Sequence, residues 1–149
     1  METHEHAVKV LNGLIETTLD SVHGYKDAAA GAKEPQLKTL FEARAAKRRE
    51  LVNELQQEVR TFGGQPGDHQ SMAGALHNRF LDLKAAITGG DKKAIVDEVE
   101  RGVDVIKGKF EKALKDDDLP PPARELINRA YTAIKADHDE VSRMKHQLH

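Results

Sequence analysis

The chain has no cysteine and no tryptophan. The first absence excludes disulfides, Fe–S clusters, thiolate zinc sites and thiol catalysis. Aromatics are scarce, with two Tyr and four Phe, so any core must be built mainly from aliphatic side chains. No apolar run approaches the about 18 residues that a membrane span needs. Charge of one sign is not in excess either, since 23 Lys plus Arg face 25 Asp plus Glu. That balance argues against the basic field of a nucleic-acid binder and against electrostatic attachment to a membrane. β-branched runs with period-two alternation are missing, which leaves no material for a sheet. The opening Met-Glu-Thr-His-Glu-His has no basic-then-apolar signal pattern, so the expected compartment is the cytoplasm.

What remains is a chain rich in Ala, Glu, Lys, Leu and Arg, a composition suited to helices packed along narrow stripes. Its 149 residues fit one domain with a real core. Four breaks divide it: Gly31 to Pro35, Gly63 to Asp68, Gly89-Gly90-Asp91, and Asp116 to Pro122. Gly31 suits a C-terminal cap, Pro35 a first helical turn and Asp91 an N-cap.

Each of the five segments carries apolar residues at helical spacing. Val8, Leu11, Ile15, Thr18, Val22, Tyr25 and Ala29 line the first. Leu37, Leu40, Phe41, Leu51, Leu55, Val59 and Phe62 line the second. Met72, Leu76, Phe80, Leu83 and Ile87 line the third. Ile95, Val99, Val103, Ile106, Phe110 and Leu114 line the fourth. Ala123, Ile127, Ala130, Ile134, Val141, Met144 and Leu148 line the fifth. Four segments predict helices of about 40 Å, and the third predicts one of roughly 27 Å. Two long hairpins joined by the short third helix follow from that mismatch, with the second and fourth segments parallel. A five-helix array with the third helix inside is the other solution. Both put the chain termini at opposite ends.

Particular wording points further. Ser71-Met72-Ala73-Gly74-Ala75-Leu76-His77, Asp82-Leu83-Lys84-Ala85-Ala86 and Thr88-Gly89-Gly90-Asp91 stand in the third segment. Glu100-Arg101-Gly102, Gly24-Tyr25, Pro35-x-Leu37-Lys38-x-Leu40-Phe41, Leu119-Pro120-Pro121 and Ala136-Asp137-His138-Asp139 accompany them. This set resembles a bacterial family of ferritin-like four-helix-bundle proteins of unknown function. The resemblance covers nearly the whole chain. It implies an all-α, ferritin-like up-down-down-up bundle with a short extra crossover helix, while the breaks and stripes put the helices at about 4–31, 35–63, 71–88, 91–117 and 121–148. It implies no activity, because the family is uncharacterised. Members often carry Glu after Glu-Arg-Gly, where this chain has Val103.

A di-iron centre in such a bundle takes a Glu from each of two helices and a Glu-x-x-His pair from each of the others. No Glu here has His three residues later, and the nearest relative is Asp20-x-x-His23. Asp20 falls nearly opposite the first stripe and His23 on its flank, which reads as a solvated pair. A non-standard iron or manganese site would draw on Glu16, Asp20, His23, Glu98, Glu100, Asp137 and His138. His4 and His6 do not share a helix face, and His146 and His149 fall roughly 40 Å away, so all four read as surface histidines. His77 reads as a packing residue or hydrogen-bond donor beside the third stripe, and His69 lies in a loop. Ser21, Ser71 and Ser142 occur in no nucleophile setting, and neither Gly-Gly pair has the context of a phosphate loop.

One feature interrupts the stripes. Arg44 and Arg48 fall near the centre of the second segment's apolar face, and Asp137 lies between Ile134 and Val141 on the fifth. By helical rise these three share a level with Glu98, Glu100 and Gly102, and His138 flanks them. A structural polar layer is expected, with Arg44 and Arg48 paired to Asp137 and to Glu98 or Glu100, and Gly102 leaving room for a guanidinium. The other placement has both arginines snorkelling to the rim. The basic cluster Arg44, Lys47, Arg48 and Arg49 is flanked by Glu42 and Glu50 and reads as an ordinary mixed-charge helix. The expected function is a non-enzymatic bundle, stress-related, that self-associates or binds another protein. The alternative is a ferritin-like iron or manganese redox or storage protein.

Overall fold

Apolar stripes punctuated by Gly and Pro produce four long helices in the computed structural model, which describes residues 2–67 and 92–148. They are α1 (Glu2–Gly31), α2 (Pro35–Thr61), α3 (Lys92–Leu114) and α4 (Pro121–Leu148). No strand occurs among the described residues. The helix expected at 71–88, with His77, and the loop His69 and N-cap Asp91 all lie outside the described residues.

Local chemistry sets the helix ends. Glu34 is extended (φ −81°, ψ 126°), and Pro35 opens α2 with its φ already suited to a helix. At the other end Gly63 adopts φ +80°, and Gly64 N–H donates to Val59 O at 3.0 Å. That left-handed turn satisfies carbonyls the helix would leave open, and it stops α2 at Thr61 rather than 63. α3 ends at Leu114, short of the expected 117. There Lys115 N–H bonds Lys112 O at 3.2 Å and Asp116 N–H bonds Ala113 O at 3.1 Å, a tightening turn that leads into Pro120-Pro121-Pro122.

Contacts between the helices fix their directions. His6, early in α1, meets Asp116, just past α3. Glu34 at the start of α2 meets Lys92 at the start of α3, at 2.9 Å. α2 and α3 are therefore parallel, and the order is up-down-down-up with one long crossover, as in ferritin-like bundles. The chain termini stand at opposite ends. The crossover's first residues return to α1, where Asn12 donates to Gln65 O at 3.0 Å and accepts from Gly67 N–H at 2.8 Å.

Buried side chains form two apolar clusters along the bundle axis. The one nearer the N-terminus holds Leu11, Ile15, Leu55, Val59, Ile106, Phe110, Ile127 and Ile134. The other holds Tyr25, Phe41, Ile95, Val99, Val103 and Val141. On α2 the division falls between Ala45 and Leu51, and on α4 between Ile134 and Val141. Arg48 and Asp137 occupy the division, both buried.

Candidate functional site

Arg48 is only 2% exposed and Asp137 only 7%, a rare depth for charged groups. Their helices position them by simple periodicity. Arg48 follows Phe41 and Ala45 on the buried face of α2, and Asp137 follows Ala130 and Ile134 on that of α4. Such burial needs compensation, because an unpaired charge in the interior is prohibitive.

Asp137 supplies it by bridging both arginines. Its Oδ2 lies 2.7 Å from Arg48 Nη2 and its Oδ1 lies 3.1 Å from Arg44 Nε. Arg44 also forks onto Glu140, with Nη2 at 2.9 and 3.1 Å from the two carboxylate oxygens. Two guanidinium groups thus face two carboxylates, and the layer is neutral. Burial opposes the Arg44 charge most, but the Glu140 hydrogen bond and the two carboxylates together outweigh it and raise its pKa.

The Arg48–Asp137 contact is close but poorly aligned. Arg48 Nε and Nη2 and Asp137 Oδ2 are buried with no well-formed hydrogen bond among the described residues. The ion pair therefore holds mainly by Coulomb attraction. A second support is the Tyr25 ring, whose centroid lies 5.7 Å from the Arg48 guanidinium carbon, within cation–π range. Tyr25 in turn packs on Phe41, centroid to centroid 6.0 Å. Its hydroxyl is buried without a hydrogen-bond partner among the described residues. Burial first, with Asp137 adding and Arg48 opposing, pushes the Tyr25 pKa up to about 12.

Not every residue expected in this layer joins it. Glu98 pairs with Arg101 at 2.8 Å on its own helix, and Glu100 pairs with Lys145 at 2.9 Å. Glu140 takes the place expected of an α3 glutamate. It stands three residues after Asp137, so both project toward α2. That spacing was visible in the sequence. A Cβ at Gly102 would meet nothing within 4 Å among the described residues, so neither Arg44 nor Arg48 is seated on this glycine.

The candidate metal ligands are likewise dispersed. Glu16 and His23 are exposed and Asp20 is partly so. His138 Nε2 meets Asp104 Oδ1 at 2.6 Å, and its Nδ1 faces Asp139 at 3.3 Å. Asp137 is engaged by arginines. A di-iron cluster does not fit this donor set, because two guanidinium groups stand against Asp137, the carboxylate buried deepest among the described residues.

The chain matches a protein family described as "Domain of unknown function (DUF2383)" over residues 6–116. It belongs to that family. No curated protein matches it. Among solved structures, a mutant of Mycobacterium smegmatis Dps1 superposes with a TM-score of 0.78. Its sequence is 11% identical, and the match covers 97% of each chain. That likeness establishes the ferritin-like fold of this family member and nothing more. Among the described residues no helix is long and apolar enough to cross a membrane.

Proposed function

We propose that the protein is a non-enzymatic bundle that acts through its surface, first of all by self-association, in a structural or stress-protective role. The observation that supports its non-enzymatic character is the Arg44–Arg48–Asp137–Glu140 layer. Its charges cancel internally, and its members are directed at one another, so they present no free acid, base or nucleophile to a substrate. A catalytic cleft would need the opposite, a perturbed group left available. The layer holds together a frame whose outer faces carry mixed charge.

Light scattering over a concentration series tests the reading. Species heavier than one chain are expected, increasing with concentration. Elemental analysis of protein purified without an affinity tag accompanies it. A strict monomer that retains no partner protein in pull-downs overturns the proposal. Iron or manganese bound near one per chain also overturns it, in favour of a ferritin-like metal protein with a non-standard site.

A further inference from the structure

A second group of chemistry-bearing side chains lies at the N-terminal end of the bundle, remote from the mid-bundle layer. His6 Nε2 stands 2.6 Å from Asp116 Oδ2, across 110 residues of sequence. Asp118 follows two residues later, and one ligand atom from each of His6, Asp116 and Asp118 lies within 4.8 Å of the others. Folding thus brings an imidazole from the start of α1 onto two carboxylates of the Asp116-Asp117-Asp118 run. The backbone N–H of Asp118 donates to Asp116 Oδ1 at 3.0 Å, while Oδ2 faces the imidazole. Arg124, close by, directs its Nη1 at the Asp116 carbonyl (3.2 Å) and at Asp117 Oδ1 (3.7 Å).

We propose that His6, Asp116 and Asp118 form a zinc-binding site. One nitrogen and two oxygens are three protein ligands, and water completes a tetrahedron. An imidazole donor disfavours calcium and magnesium, which take oxygen ligands. Bonds of about 2.0–2.1 Å place ligand atoms roughly 3.3–3.5 Å apart in a tetrahedron. The His6–Asp116 contact therefore opens by less than about 1 Å as the ion replaces the shared proton. Binding would fasten the first turns of α1 to the turn between α3 and α4. The site is separate from the mid-bundle layer, none of whose residues takes part.

The test uses the full chain made without an affinity tag, titrated with Zn²⁺ by calorimetry and with Co²⁺ by visible absorption. One ion per chain is expected. His6→Ala and Asp118→Asn should each weaken binding by about tenfold or more. His146→Ala, an exposed histidine near the other end of the bundle, should change it by less than about twofold. Asp118→Asn leaves the His6–Asp116 pair in place, so its effect reports the ion and not the pair. Circular dichroism verifies that each variant keeps its helices. Three results overturn the site: no binding by the parent chain at about 100 μM ion, affinity unchanged in both variants, or loss in His6→Ala alone, which would mean a lone imidazole.

Discussion

Asp137 is the residue on which the buried charges depend, because it neutralises Arg48 where water does not reach. Asp137→Ala should cost about 3–5 kcal/mol, since it leaves a guanidinium buried and unpaired. Glu100→Ala breaks a partly exposed pair with Lys145 and should cost less than about 1 kcal/mol. Urea denaturation of the two variants measures the contrast. A cost below about 0.5 kcal/mol for Asp137→Ala would show that Arg48 reaches water by another route. Tyr25 adds a dependence on pH. Below pH 10 its hydroxyl is protonated in the folded and the unfolded chain alike. Between 10.0 and about 12 it ionises only when unfolded, so stability falls as pH rises through that window. Two pKa units correspond to roughly 2–3 kcal/mol. Tyr25→Phe should remove this decline. At pH 8 it should be neutral or stabilising by up to about 1 kcal/mol, because it deletes a buried hydroxyl without a partner among the described residues. The difference in stability between parent and variant, followed from pH 8 to 12, checks both statements.

Helix ends and faces obey a different chemistry, visible in two glycines. A Cβ at Gly64 would lie 2.6 Å from both methyl groups of Val8 and 3.2 Å from Val59. Valine is stiff at χ1 and cannot swing aside cheaply. Gly64→Ala should therefore destabilise by about 1–3 kcal/mol, through overpacking where α2 closes against α1. Gly13 is exposed within α1, and a Cβ there meets nothing within 4 Å among the described residues. Gly13→Ala should stabilise by about 0.5–1 kcal/mol through helix propensity alone. Thermal unfolding of both variants tests the opposite signs. Much at this scale could be read from sequence. The stripes of α1 through α4 follow the 3.6-residue period, and Gly63, Gly64 and Pro35 mark their own ends. The close approach of Val8 to Gly64 could not be read there, because it depends on how two helices meet.

For the molecule as a whole, the charged layer divides one core into two apolar clusters. Sliding α2 or α4 by a turn would part Arg48 from Asp137 and leave buried charge unpaired, which disfavours other registers. A double variant, Arg48→Met with Asp137→Leu, separates this role from stability. It should keep the parent's stability or exceed it by about 1–4 kcal/mol, in contrast to the loss in Asp137→Ala. A double variant as unstable as the single one would mean that the layer contributes net stability. The double-mutant cycle from urea denaturation decides the matter.

Sequence alone determined the helices, their apolar faces, and the intrusion of Arg44, Arg48 and Asp137 into those faces at one height. Local periodicity and rise per residue suffice for that. Sequence also suggested Asp137 as the partner of both arginines, but the remaining partners belonged to the tertiary structure. Arg44 meets Glu140 across 96 residues, and His6 meets Asp116 across 110. Such pairings depend on side-chain reach, helix rotation and crossing geometry, and a pattern along one chain does not encode them separately. The resulting bundle is one in which charges at mid-height answer each other, while the imidazole and carboxylates at its N-terminal end are gathered only by folding.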